Sequence, residues 1–155
     1  MRNRSLGIAA TAVLVLAACG DDRPSTLARG DVGFVGSQPL AEHRMDIRAE
    51  ETNGEVVGEA RFDEIVVTFH CADTDTDGLV VLGGEVTTPS RDGSTGRGDL
   101  MAVLIREGEP DSANVWFPDA TPASCTELLD AIPAEHRSDD SLFSDVADGD
   151  DIETG

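Results

Sequence analysis

The sequence predicts an all-β, mainly antiparallel fold, a small barrel or sandwich of about six strands with one short C-terminal helix. Between residues 39 and 133, apolar residues recur at every second position in short runs, which is the period of a half-buried strand. Turn-forming pairs such as Asn53-Gly54 and Asp77-Gly78 separate these runs, as they do in antiparallel hairpins. One segment alone has the capping pattern of a helix.

Residues 1–18 have the features of an export signal. Arg2 and Arg4 make a basic start, and an apolar run with few interruptions follows over residues 6–18, as in a cleaved signal peptide. The run is shorter than the roughly 20 residues that a membrane-spanning helix needs. We therefore predict that residues 1–18 are removed on export.

The sequence Leu16-Ala17-Ala18-Cys19 resembles the lipobox of bacterial lipoproteins, in which a leucine and two small residues precede a cysteine. The resemblance implies that the Cys19 thiol carries a diacylglycerol and that cleavage follows Ala18. The mature protein would then be held on a membrane of the cell envelope, outside the cytoplasm. Two acyl chains anchor stably because each buried methylene contributes about 0.8 kcal/mol. The alternative is a plain signal peptide followed by a chance cysteine.

The chain is strongly acidic, with 31 Asp and Glu against 11 Lys and Arg and a formal net charge of −20. Nucleic acid is excluded as a partner because its phosphates would be repelled. Docking on anionic lipid head groups favours basic clusters, so we expect the membrane contact to be made by the N-terminal lipid. The sequence identifies no protein or glycan partner.

The elements follow from the N-terminus in this order. Residues 19–38 are polar and rich in glycine and predict a flexible tether. The β domain is expected over residues 39–133, with strands predicted at residues 45–50, 56–62, 65–71, 80–86, 100–105 and 115–117.

The C-terminal part of the chain is predicted as a helix and an acidic tail. Ser124 and Glu127 have capping-box spacing, which predicts a helix over residues 125–131 that Pro133 ends. Residues 134–155 have too little apolar surface to offset the entropy of ordering, so we predict a disordered tail. Leu142, Phe143 and Val146 form one amphipathic turn in it, docked or free.

Three cysteines are present. With Cys19 taken by lipid, Cys71 and Cys125 are an even pair in an oxidising compartment, which predicts a disulfide. Closing this loop stabilises a fold by about 4 kcal/mol in the chain-entropy model. The competing interpretation is a catalytic thiol at Cys71 beside His70. Neighbours along a strand point to opposite faces, which disfavours it.

Between residues 43 and 125 the chain has a strand that ends near a cysteine, an apolar strand with a glycine pair and a Val-Thr, and a polar turn before a second cysteine. These features are His70-Cys71, residues 77–87, Arg106-Glu107-Gly108 and Cys125. The pattern resembles that of a family of small exported β proteins of the actinobacterial type. The resemblance implies an exported antiparallel β domain with a disulfide and no particular activity. The Arg-Glu-Gly turn departs from the Asp-Asn-Gly that the family often has.

Asp73, Asp75 and Asp77, followed by Gly78, match the first half of a calcium loop, because alternate oxygen ligands can converge on one Ca²⁺. The second half does not match, since position twelve of the loop is Gly84, which has no carboxylate. Two interpretations stay open: a weak Ca²⁺ site, and a polar hairpin loop whose aspartates favour turn geometry. The second is favoured, and no other cofactor is predicted.

No catalytic residue is predicted. The serines lack a GxSxG setting, and no carboxylate pair stands out as an acid and base. Residues 93–98 are rich in glycine but lack the lysine of a phosphate loop, so a mobile hairpin loop is expected. Trp116 and Phe117 are adjacent, and whichever is exposed is a candidate contact for a partner or glycan. The histidines are isolated in sequence: His43, His70 and His136.

The function expected from these features is a non-enzymatic binding or envelope-structural module, lipid-anchored outside the cytoplasm. One alternative is a hydrolase that uses two of the many carboxylates. Another is a calcium-dependent adhesion or sensing module. A deep pocket with two carboxylates of perturbed pKa favours an enzyme, and a barrel with a filled interior favours a module.

Overall fold

The computed structural model describes residues 23–36, 40–119 and 122–155; the predicted signal peptide and Cys19 lie outside them. The described chain forms a closed barrel in which each strand pairs antiparallel with the next and the last pairs with the first. This confirms the all-β prediction. The strands are β1 (Ser25–Val35), β2 (Arg44–Thr52), β3 (Glu55–Phe62), β4 (Ile65–Thr74), β5 (Leu79–Thr88), β6 (Leu100–Arg106), β7 (Ser112–Trp116) and β8 (Ser144–Val146).

Strands β2 to β7 overlap the six predicted strands, although β7 shares only Val115 and Trp116 with the predicted strand at 115–117. The turn between β2 and β3 is the predicted Asn-Gly turn, with φ of 54° at Asn53 and 81° at Gly54. Positive φ at both central residues matches the twist of a two-residue hairpin. The helical elements lie between β7 and β8: α1 (Cys125–Ala131), α2 (Ala134–Ser138) and a 3₁₀ turn (Asp140–Leu142).

The predicted flexible tether is wrong over residues 25–35, because Ser25–Val35 is strand β1, paired with β2 along most of its length. Leu27, Ala28, Val32 and Phe34 are buried in the core. A bulge between Thr26 and Ala28 shifts the register and breaks the alternation by which the strand could have been recognised.

The predicted disordered tail is also wrong. Phe143, Val146 and Ile152 are 4 %, 2 % and 2 % exposed, and β8 closes the barrel between β7 and β1. Further along, Arg29 and Glu153 exchange two main-chain hydrogen bonds of 2.9 Å. Without this segment β1 and β7 would be open edges, with unpaired main-chain groups that invite pairing with other chains.

Apolar side chains from all eight strands pack into one cluster inside the barrel. The largest fully buried members include Phe69, Met45, Ile47 and Leu82. An eight-stranded barrel is about wide enough for its interior to be filled by side chains. A ligand therefore has room at the ends of this barrel and not along its axis.

A second cluster lies outside the barrel, where α1 covers β5 and β6 with Leu129 and Ile132. Ser124 caps α1 by accepting a hydrogen bond from the Glu127 N–H at 3.2 Å, as its sequence predicts. The predicted disulfide joins Cys71 on β4 to Cys125 at the start of α1. It fastens the helix to the sheet.

None of the helices in the described ranges is both long enough and apolar enough to cross a membrane.

Candidate functional site

Sequential antiparallel strands place their connections alternately at the two ends of the barrel. The β1–β2, β3–β4 and β5–β6 connections lie at one end, which we call the cleft end. The β2–β3, β4–β5 and β6–β7 connections lie at the other, which we call the acidic end. Residues 147–155 run back along β1 toward this end, from Ala147 bonded to Gly33 to Glu153 bonded to Arg29, and pass beside the β6–β7 connection.

A cleft of about 600 Å³ opens at the cleft end. Side chains from the ends of the strands and from the three connections line it. One half of the lining is apolar: Leu40, Phe62, Ile65, Met101, Val115 and Phe117. The other half is polar: His43, Asp63, Glu64, Ser90, Asp92 and Ser94. An apolar cavity with a few converging polar groups is typical of small-molecule sites.

The floor of the cleft is continuous with the barrel core. Phe62 and Met101 are 6 % and 3 % exposed and belong to the interior cluster. Trp116 lies against the outer cluster, with its ring centroid 6.3 Å from that of His136. Because successive side chains of an extended chain point to opposite faces, Phe117 turns to the cleft, where it is 40 % exposed. Phe117 is thus the exposed aromatic of the pair.

His43 and Asp63 form a pair on one side of the cleft. The His43 Nδ1 lies 2.6 Å from the Asp63 carboxylate, and both side chains are half-exposed. The Arg44 N–H donates to the other oxygen of Asp63 at 3.4 Å. The hydrogen bond with His43 holds the pKa of Asp63 below its ordinary value. The pair joins the β1–β2 connection to the β3–β4 turn.

The opposite side of the cleft is an internally bonded loop. Ser90 and Thr95 exchange two hydrogen bonds of 2.9 Å between main chain and side chain. The Ser94 N–H donates to Asp92 at 2.9 Å. That bond and the Ser90 and Ser94 hydroxyls hold the pKa of Asp92 below its ordinary value. Hydrogen bonds thus fix the loop at the start of the predicted mobile segment 93–98.

Glu64 and Arg91 connect the two sides. The Arg91 N–H donates to one Glu64 oxygen and its Nε to the other, each at 2.8 Å. Asp63 and Glu64 are therefore each paired with a basic side chain. The donors that hold Asp92 are neutral, so its charge is the least compensated at the cleft.

The acidic end holds a second group of polar residues. Asp111 is 8 % exposed and accepts hydrogen bonds from the Gly108 N–H at 2.9 Å and the Ile152 N–H at 3.0 Å. Burial raises the pKa of Asp111, but these donors and Asp151 outweigh it and leave the pKa lowered. The hydrogen bond to Asp111 and the charge of Asp111 raise the pKa of Asp151. A recess of about 410 Å³ lies beside this pair.

The structure does not bring the predicted calcium residues together. One oxygen of Asp75 accepts from the Asp77 and Leu79 N–H groups, each at 2.9 Å, which fixes the β4–β5 turn. Asp73 instead pairs with Arg137 at 3.1 Å. No group of three or more His, Cys, Asp or Glu in the described ranges is arranged to hold a metal ion. The geometry is that of the polar hairpin loop.

The three histidines lie apart. His70 is exposed on β4, and His136 in α2 lies 3.4 Å from the Asn114 amide nitrogen. Only His43 reaches the cleft. The disulfide excludes the alternative of a catalytic thiol at Cys71.

The polar residues of the cleft were not singled out as a site from the sequence. The sequence nevertheless contains the information needed to bring them together, because in a barrel of sequential antiparallel strands every second connection lies at the same end. The turn at Asp63-Glu64 and the loop over residues 89–99 are separated by one hairpin and therefore meet. Using that signal requires knowing that the strands pair in chain order.

Comparisons with protein-family models, curated proteins and solved structures found no match to this chain.

Proposed function

We propose that this protein is a lipid-anchored binding module of the cell envelope that takes a small, largely apolar ligand in its cleft. The observation that carries the proposal is the cleft itself, an apolar floor with a polar rim at the mouth of a closed barrel. Its volume of about 600 Å³ lies within the range of small-molecule sites.

The barrel supports this proposal by its rigidity. Every strand is hydrogen-bonded on both sides, and the loops around the cleft are joined by the His43–Asp63 and Glu64–Arg91 pairs. A site that is already formed loses little conformational entropy when a ligand binds, which favours affinity.

A neutral fluorescent probe, N-phenyl-1-naphthylamine, tests the cleft. We expect it to bind the mature chain carrying Cys19→Ser, which needs no detergent. Phe117→Ala should weaken binding about tenfold, because part of an aromatic contact is lost. The matched control is Val57→Ala, since Val57 is an apolar residue 62 % exposed on the barrel wall. An equal effect of both variants, or no binding by the parent, would overturn the proposal.

The lipid anchor is proposed from the lipobox and has its own test. The Cys19→Ser variant should take up no labelled lipid and should be released from the membrane fraction or stay unprocessed. Lipid labelling that persists in this variant would refute the anchor at Cys19.

The carboxylate pair at the acidic end favours a second candidate, hydrolysis by a carboxylic acid and a carboxylate. Opposite pKa shifts in neighbouring groups are the arrangement that such chemistry uses. We rank it second because both Asp111 oxygens already accept main-chain hydrogen bonds. Release of nitrophenol from nitrophenyl glycosides or esters that is abolished by Asp151→Asn and retained in Asp145→Asn would establish it.

A further inference from the structure

We infer that the ligand of the cleft is a small amphiphilic cation whose positive head group lies beside the Asp92 carboxylate and whose apolar body packs on Phe62, Met101 and Phe117. This inference rests on the binding function proposed above and adds the chemical class of the ligand.

The charge of the cleft lining argues for a cation. It holds the carboxylates of Asp63, Glu64 and Asp92, while the basic side chains beside them are His43 and Arg91. The three carboxylates outnumber these two basic side chains. The formal charge of −20 on the whole chain adds a long-range field of the same sign, which attracts cations and repels anions.

Asp92 is the carboxylate best placed to receive the head group. Asp63 and Glu64 already have basic partners at 2.6 and 2.8 Å, whereas the donors to Asp92 are the Ser94 N–H and the Ser90 and Ser94 hydroxyls. These neutral donors keep the carboxylate ionised without neutralising it. They also fix its position, so an incoming ammonium group meets a pre-oriented acceptor.

The apolar floor argues for an amphiphile instead of an inorganic cation. No described group of three or more potential metal ligands lies at the cleft, and a strongly hydrated ion would gain nothing from Phe62, Met101 or Phe117. An organic ammonium is less strongly hydrated, and its alkyl or aromatic body removes Phe117, which is 40 % exposed, from water.

The experiment compares three ligands that share one body and differ in the head group: 4-phenylbutylamine, 4-phenylbutanol and 4-phenylbutanoate. Each is titrated into the mature chain carrying Cys19→Ser at low ionic strength. Affinities come from calorimetry, and amide chemical-shift changes locate the site. We expect the amine to bind about threefold more tightly than the alcohol, the size of one solvent-exposed ion pair. The carboxylate should bind most weakly, and added salt should reduce the amine's advantage.

Asp92→Asn should remove the preference for the amine and leave the affinity of the alcohol unchanged. Asp130→Asn is the matched control, because it removes the same charge from an exposed position on α1; it should leave the preference intact. An alcohol that binds as tightly as the amine, a tighter carboxylate, or a preference that survives Asp92→Asn overturns the cation inference and leaves the binding function standing. If none of the three shifts the cleft amides, the binding function itself fails.

Discussion

Asp111 is the side chain that holds the end of the chain in place. It accepts from Gly108 in the β6–β7 connection and from Ile152 in the last segment, and its main-chain oxygen accepts from Val146 at 2.8 Å. One residue thereby joins three parts of the acidic end. The sequence shows an aspartate after Pro110 and gives no sign of this role.

Asp111→Asn should therefore destabilise the fold. Asparagine offers one acceptor oxygen in place of two, so one buried N–H loses its partner at a cost of about 1–3 kcal/mol. Urea unfolding at neutral pH measures the change. Asp145→Asn, at an exposed position on β8, is the control and should have little effect. Equal stability of both variants would mean that the Asp111 hydrogen bonds do not hold the terminal segment.

The pH dependence of this contribution follows from the pKa of Asp111, which is lowered in the fold. The unfolded state then binds more protons in the window below the ordinary pKa of an aspartate, so stability rises with pH there. The contribution is present above that ordinary value and is lost as the pH falls through the lowered pKa. Acid titration of stability should show a smaller decline for Asp111→Asn than for the parent.

Asp151 should behave in the opposite way, because the hydrogen bond to Asp111 and the Asp111 charge raise its pKa. The folded state binds more protons than the unfolded state between the ordinary and the raised pKa, so this group loses stability as the pH rises through that window. Asp151→Asn keeps a donor toward Asp111 and removes the repulsion. We expect it to raise the melting temperature at neutral pH, with the gain disappearing in acid; a lower melting temperature at neutral pH would contradict this.

At the scale of elements, the disulfide and α1 form one unit with β5. A Cβ built on Gly83 would lie 2.7 Å from the Cys71 sulfur and 3.1 Å from the Cys125 sulfur. Because glycine has no Cβ, position 83 leaves room for the disulfide over β5. Packing against the disulfide therefore explains the first glycine of the Gly83-Gly84 pair noted in the sequence.

Gly83→Ala should destabilise the fold by about 1–3 kcal/mol, because the methyl group overpacks the bridge. Gly33→Ala is the control on β1, where a Cβ would meet no atom nearer than 3.7 Å. Thermal melting of both variants tests the contrast. In a background without Cys71 and Cys125 the cost of Gly83→Ala should shrink; an undiminished cost would mean that the bridge is not what the methyl group meets.

Removing the bridge by Cys71→Ser with Cys125→Ser should cost about 4 kcal/mol in the chain-entropy model. The separation of 54 residues makes the closed loop long, so the unfolded chain regains much freedom when it opens. Denaturant unfolding with and without reductant measures this. Reductant should lower the stability of the parent and leave the double variant unchanged. A parent that resists full reduction without loss of stability would contradict the expectation.

The strands that the sequence predicts are short apolar runs, most of them alternating, and most are bounded by turn pairs that end in glycine. Strand β1 was missed because a bulge at Thr26/Ala28 interrupts its period. Strand β8 was missed because it has three residues, too few for a period to appear. Strand β8 also gains its stability from pairing with β1, at the other end of the described chain, and local sequence does not carry that information. The cleft forms only when the barrel closes, so local sequence does not predict it either.

At the scale of the whole molecule, the barrel would separate the proposed lipid attachment point at Cys19 from the cleft. Ser25 begins β1 opposite Glu51, beside the Asn53-Gly54 turn and therefore at the acidic end. Cys19 precedes Ser25 by six positions, which span at most about 20 Å. The lipid would thus hold the acidic end near the membrane and leave the cleft facing away from it.

The charge of the acidic end opposes close contact with anionic head groups, so only the proposed lipid would hold this end near the membrane. A ligand would then reach the cleft from the aqueous phase and not from the bilayer. Fluorophores at Arg97→Cys in the β5–β6 loop and at Asp148→Cys at the acidic end test this by energy transfer to labelled lipid in vesicles that carry the lipidated protein. We expect stronger transfer from position 148 than from position 97, and no transfer from either when Cys19→Ser removes the anchor. Stronger transfer from position 97 would place the cleft at the membrane and make the bilayer the source of its ligand.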